Sequence, residues 1–283
     1  IRDIRISWVD ESGIPAGSAT SNIRFRQPAG FAVVPRFNDD YELLAHAEVS
    51  GNERSPWVVG WDYDEMAALF VDERSSSDDA DGLGIFLSLF GSDYAPVQDL
   101  SFNGSLLQSP ITAGDQDQIF VSSIESEIRY IVWRDTSGTE DTEGSGIYLS
   151  AVGERSFDQQ TYVSLLANTT TTGDQSEPCV SSQIDGEQGS PPYSHRGVLT
   201  WTDRPDPQQP TVLRCRAFEQ GIEGEPVLFT GIDQLLSTWN SGDQSQSFIL
   251  AARPPPGEPS PPPQPYLAVW RDDSQQGPDT SEG

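Results

Sequence analysis

The residues of this chain best suited to chemistry are carboxylates on acidic loops. Asp78, Asp79 and Asp81 alternate ahead of Gly82. Alternating carboxylates can wrap Ca²⁺, which takes six to eight oxygen ligands. The stretch lacks the full spacing of an EF-hand loop, and a solvated acidic hairpin is the commoner state of such a segment. Comparable loops recur at Glu140, Asp141 and Glu143, and at Asp272, Asp273 and Asp279. Calcium is the one ion these loops invite, and no other cofactor is expected. His46 and His195 are the only histidines, and neither has metal-ligand spacing. No Gly-x-Ser-x-Gly elbow and no phosphate-cradling glycine loop is present. With 44 acidic residues some close carboxylate pairs are inevitable. Glycoside hydrolysis, which needs two carboxylates at a defined separation, therefore stays open at this point.

The elements that must position these loops recur through the chain. An apolar run ends in aromatic-x-Asp five times: Trp8 to Asp10, Phe70 to Asp72, Trp133 to Asp135, Trp201 to Asp203 and Trp270 to Asp272. The aromatic positions step by 62, 63, 68 and 69 residues, a period that marks one folding unit copied several times. A second phrase keeps the beat at Gly51-Asn52-Glu53, Gly114-Asp115-Gln116, Gly173-Asp174-Gln175 and Gly242-Asp243-Gln244, each leading into a short apolar run. A third follows each Asp: Ile23-Arg24-Phe25, Ile85-Phe86-Leu87, Ile147-Tyr148-Leu149 and Val212-Leu213-Arg214. Because repeat grammar is normally structural, the aromatic ring is expected to pack between units. The Asp is expected to accept hydrogen bonds in the turn that follows.

The runs are short, rich in β-branched and aromatic residues, and punctuated by Gly, Asp, Ser and Pro. Each repeat reads as four strands: a after the Gly-Asp-Gln phrase, b ending in Trp-x-Asp, c in the third phrase, and d in a vaguer apolar patch. A lone sheet of this size cannot bury both faces. Stacking copies around an axis does. The expected fold is all-β, a β-propeller of four to five four-stranded blades. Its units run 4–66, 67–129, 130–197, 198–265 and, in part, 266–283, with a Pro-rich insertion at 253–265. A linear β-solenoid or a string of sandwiches is the alternative. The chain begins in a strand b and stops where a further strand c is due. It reads either as part of a longer repeat protein or as a ring closed between its ends, with Asp3 to Ser7 standing in for the missing strand c. Cys179 and Cys215 fall on strands a and c of one unit. With strand b between them they lie ~9.5 Å apart, beyond disulfide reach.

The order Gly-Asp-Gln-x-x-Pro-x-Val, then apolar-Trp-x-Asp, then Gly-Ile-Tyr-Leu, clearest from Gly173 to Asp203 with Ser145 to Ser150 for the third phrase, resembles the blades of TolB-like and related bacterial secreted propellers. The resemblance covers nearly the whole chain at the level of blade grammar. It departs where Ile119 and Ser247 replace the Pro and Phe70 replaces Trp. It implies a propeller and a binding platform, and no reaction.

A net charge of −28, with 16 Arg and no Lys, argues against a nucleic-acid surface. No stretch approaches ~20 apolar residues. The expected function is a non-catalytic propeller in an extracytoplasmic setting (periplasm, cell surface or secreted), docking protein partners in a larger assembly. The alternative is a glycan-binding or glycan-hydrolysing propeller with carboxylates and aromatics at the ring centre. The Pro-rich run is read as a stiff surface loop. Asn103 and Asn168 fit the glycosylation acceptor pattern.

Overall fold

A computed structural model describes residues 2–4, 23–25, 54–62, 65–72, 83–90, 114–122, 128–138, 141, 143–153, 164–185, 194–220, 226–236, 242–251 and 266–272. Every regular element among them is a strand. They are β1 (Arg2–Ile4), β2 (Ile23–Phe25), β3 (Arg54–Asp62), β4 (Glu65–Asp72), β5 (Gly84–Phe90), β6 (Gln116–Val121), β7 (Ile128–Asp135) and β8 (Glu143–Gly153). The chain continues with β9 (Leu165–Leu166), β10 (Thr172–Asp185), β11 (Ser194–Arg204), β12 (Val212–Gln220), β13 (Leu228–Leu235), β14 (Gln244–Ala251) and β15 (Tyr266–Asp272).

Consecutive strands pair antiparallel, as short runs joined by local turns must. Blade I is β3-β4-β5, blade II is β6-β7-β8-β9, blade III is β10-β11-β12-β13, and blade IV contributes β14-β15; a short parallel pairing of Thr172 to Asp174 on β10 with Glu143 to Ser145 on β8 joins blades II and III into one eight-stranded sheet. The sheets begin at strand a, so the repeat units drawn from the sequence cut each meander between its strands. β1 pairs β2, with Ile4 opposite Ile23. Cys179 and Cys215 face Thr200 from either side, and both thiols are free.

Each blade latches onto the one before it at one recurring place. The Gln116 amide donates to the Leu83 carbonyl, and that of Gln244 to the Thr211 carbonyl. Between them, Ser145 Oγ donates to the Gln175 carbonyl at 2.7 Å. Leu83, Ser145 and Thr211 each stand two residues before an apolar residue of the third phrase. The aspartates complete the latch: Asp115 accepts from the Leu83 amide at 3.0 Å and Asp243 from the Thr211 amide at 2.9 Å. Gly114 and Gly173 open two of these phrases at φ +72° and +83°, where a Cβ is disfavoured. At Gly114 one would also lie 2.7 Å from the Ser137 Cα.

The faces between blades I and II and between blades II and III are apolar. Leu69, Val71 and Ile85 of blade I pack on Ile119, Val121, Ile131 and Trp133 of blade II. The other face of blade II, through Tyr130, Val132, Ile147 and Leu149, packs on Val180, Leu199, Trp201 and Phe218 of blade III. Each large side chain so buried contributes ~1.5–3 kcal/mol of transfer free energy. Blades III and IV meet through polar ties: Thr200 Oγ1 to Ser247 Oγ at 2.8 Å, the Ala251 amide to Ser181 Oγ at 2.9 Å, and Tyr266 OH to the Arg196 carbonyl at 2.9 Å. The first strands converge, β3 against β6, β6 against β10 and β10 against β14. Meanders stacked face to face with converging first strands make a β-propeller.

Candidate functional site

The first strand of every blade carries a bulge at the same phase of the repeat. Register shifts fall between Arg54 and Trp57, Asp117 and Phe120, Ser176 and Cys179, and Ser245 and Phe248. In three of the four, the bulged residue is a non-glycine in the left-handed region: Gln118 (φ 52°), Glu177 (φ 51°) and Gln246 (φ 51°). Such residues are uncommon, and bulges re-aim side chains next to functional sites.

These residues join into a belt from blade to blade. Gln118 Oε1 accepts from the Glu177 amide at 2.6 Å. Glu177 Oε2 accepts from the Gln246 amide at 2.8 Å and from Thr202 Oγ1 at 2.9 Å. A bulge leaves an amide outside the ladder, and the Gln or Glu of the preceding blade satisfies it. Beside the belt, Arg134 grips Asp117 in a two-pronged ion pair at 2.7 and 2.6 Å. That grip is the main reason the guanidinium holds its proton more tightly than usual.

Two residues beyond each bulged position stand Trp57, Phe120, Cys179 and Phe248. Trp57 and Phe120 meet edge to face with centroids 4.9 Å apart, and Phe120 meets Phe248 at 6.0 Å. The smaller Cys179 occupies the corresponding position of blade III. Burial pushes its thiol up to about 11, so it is no nucleophile. The inner strands thus carry a polar belt of one carboxylate and two amides, an Arg–Asp pair, and aromatic edges alongside.

Among the sequence-derived candidates, Trp133 and Trp201 are fully buried in the blade seams, and Trp270 is half-buried on β15. Asp135 accepts from the Ser137 amide at 2.6 Å. Asp203 accepts from Gln175 Nε2 at 3.1 Å and from Arg214 Nε. Phe70, Asp72 and Asp272 lie on strands, with side chains outside the described set. Trp8, Asp10, the calcium candidates Asp78, Asp79 and Asp81, His46, Asn103 and the Pro-rich run 253–265 also lie outside the described residues. Among the described residues, no group of three or more His, Cys, Asp or Glu could hold a metal ion. His195 is buried near Tyr130, with ring centroids 6.4 Å apart.

Asn168 is no glycan acceptor in this fold, because it is 2% exposed and its side chain is consumed by hydrogen bonds. Its Oδ1 accepts from the Ile147 amide at 2.8 Å, and its Nδ2 donates to Asp141 at 2.7 Å and to the Thr170 carbonyl at 2.9 Å.

The belt residues were missed at the level of sequence. Gln118, Glu177 and Gln246 are visible there as a recurring fifth residue of the Gly-Asp-Gln phrase. Only the bulge turns that recurrence into a set of groups facing one another.

No family model matches the chain, and no curated protein matches it. Solved structures do. The endo-arabinase from Bacteroides thetaiotaomicron aligns with a TM-score of 0.40 and 11% identity, over 82% of this chain and 80% of that one. A thermostable family-43 glycoside hydrolase aligns at 0.39 and 10%, over 82% and 77%. An N-acetylgalactosamine deacetylase from F. plautii, in complex with blood group B trisaccharide, aligns at 0.37 and 11%, over 74% and 60%. All three are carbohydrate-active enzymes by name. The expectation of a non-catalytic accessory subunit is corrected on that finding. At such low similarity the likeness concerns the fold, and the functional case rests on the geometry of the inner strands.

Proposed function

We propose that this protein is a carbohydrate-recognising β-propeller that works outside the cytoplasm and holds glycan where its first strands converge. The observation that carries the reading is that the first strands bear both the Gln118–Glu177–Gln246 belt, joined from blade to blade, and, two residues further along, the aromatic contacts of Trp57 with Phe120 and of Phe120 with Phe248. Planar carboxylate, amide and guanidinium groups match the paired hydroxyls of a sugar, and aromatic side chains match its apolar C–H face. Binding sites of this kind combine apolar lining with a few placed polar groups. A net charge of −28 repels anions, so the ligand is a neutral glycan. Among the described residues, recognition fits better than hydrolysis. Asp117 is committed to Arg134, and one oxygen of Glu177 is already held by two donors. Hydrolysis asks for two carboxylates free to act on either side of the glycosidic bond.

A panel of neutral plant, microbial and animal glycans, read for binding and for reducing-sugar release, tests this. Binding of at least one glycan is expected, weakened at least about tenfold, or ~1.4 kcal/mol, by Glu177→Gln with no change in fold by circular dichroism. A panel with neither binding nor turnover would overturn the reading. Reducing-sugar release that Glu177→Gln abolishes would replace recognition by hydrolysis.

A further inference from the structure

The seam between blades III and IV is built differently from the two before it. Strand pairing lines up one cross-strand row in each blade where the next blade lands. In blade I the row is Trp57, Leu69 and Leu87, and in blade II it is Phe120, Val132 and Leu149. In blade III the same row reads Cys179, Thr200 and Cys215. The arriving strand changes with it: β6 brings Ile119 and Val121, whereas β14 brings Ser247 and Ile249. Thr200 Oγ1 accordingly meets Ser247 Oγ at 2.8 Å, and Ser181 Oγ takes the Ala251 amide at 2.9 Å. Among the described residues of blade IV, Ile249 is the only buried apolar side chain, and no blade IV residue joins either apolar cluster. Hydrogen bonds exchange for bonds to water at small net cost, whereas parting apolar faces exposes area to water. Regions with few buried apolar contacts open at the lowest free energy. Of the three seams, this one opens most readily.

The same seam crosses the glycan site proposed above. Gln246 and Phe248 stand on β14. Glu177, on β10, reaches over the seam to the Gln246 amide at 2.8 Å. While the seam is shut, that amide and Thr202 Oγ1 together hold Glu177 Oε2. We propose that blade IV is the movable wall of the glycan site. It parts from blade III, the Gln246 amide leaves Glu177, and the freed carboxylate oxygen accepts a hydrogen bond from a sugar hydroxyl. The gating rests on the glycan reading, and the weakness of the seam stands without it.

Hydrogen–deuterium exchange of the full 283-residue chain reads the seam with no ligand present. The amides of β14 are expected to exchange at least about tenfold faster than those of β6, the corresponding strand of blade II. Equal protection of the two strands would overturn the proposal. The gating is read with Thr200→Cys and Ser247→Cys, two positions whose hydroxyls already touch, in a background of Cys179→Ala and Cys215→Ala. A disulfide there needs close, well-aimed side chains, so it locks the shut seam, and the reduced form of the same variant controls for folding. With a glycan that the panel finds, association with the oxidised form is expected to slow at least about tenfold and to recover on reduction. Association equally fast in both forms would overturn the gating. A panel without any ligand would sink the glycan reading and the gating with it, while exchange would still decide whether this seam opens first.

Discussion

Blades II and III share one grammar and treat its central aspartate in opposite ways. In blade III, Asp203 is fully buried and charge-compensated. Arg214, opposite Trp201 on β12, donates to it and also lies 3.7 Å from Asp233. In blade II the position of Arg214 is held by Tyr148, opposite Trp133 on β8. Tyr148 stacks on Trp133 with centroids 6.0 Å apart. Asp135 is equally buried, and its Oδ2 has no hydrogen-bond partner among the described residues. Burial pushes its carboxyl above the usual carboxylate value, against the pull of its bonds from Ser137 and Gln116. One repeat position can thus hold an aspartate paired with a guanidinium or one whose carboxyl is pushed up by burial, depending on a single residue on the neighbouring strand.

The shared part of the grammar should carry the largest effects. Trp133→Ala and Trp201→Ala are each expected to cost about 3–5 kcal/mol in denaturant unfolding, since both rings are fully buried and their removal leaves a cavity. If one variant lost less than about 1 kcal/mol, the blades would not be equivalent supports.

The divergent part comes next. Arg214→Met strands Asp203 and Asp233 without their cation, and breaking a buried pair from one side costs about 3–5 kcal/mol. With Arg214 19% exposed, the lower end is expected. Adding Asp203→Asn should recover a large part of the loss. A double variant no more stable than Arg214→Met would mean that the guanidinium acts by packing and not by charge.

Asn168 links the two blades, donating toward Gln175 Oε1 at 3.3 Å as well as to Asp141. Asn168→Ala leaves buried groups unsatisfied and should cost about 1–3 kcal/mol. A melting temperature unchanged in that variant would remove the link from the account of the seam.

The smallest effect is the most diagnostic. Because burial raises the Asp135 carboxyl, the native state holds that proton more readily than the unfolded chain. Ionisation at neutral pH therefore costs stability, and the cost fades as pH falls through the raised value toward about 4, the unfolded carboxylate range. Asp135→Asn is expected to melt above the parent protein at pH 7, with the gap narrowing as pH is lowered. A gap that is constant with pH, or absent, would place the two aspartates in the same electrostatic state.

Repeat period, strand content and the apolar character of the seams were readable in the residues themselves. Periodicity and β-branched runs depend only on local sequence, and four strands per unit cannot stay soluble unless copies cover one another. The free state of Cys179 and Cys215 followed from strand order alone. The belt of Gln118, Glu177 and Gln246 did not, because a bulge depends on pairing with the adjacent strand, and the partners of each bulge lie about 59 and 69 residues away. Nor could the sequence show that Asn168, an apparent surface acceptor, is a buried tie between blades. It likewise could not show that Tyr148 leaves Asp135 without the cation that Arg214 brings to Asp203. Sequence alone determined which unit is repeated. The tertiary structure decided which groups meet, because hydrogen bonds and burial across seams are set by chain closure over some 60 residues and not by neighbours along the chain.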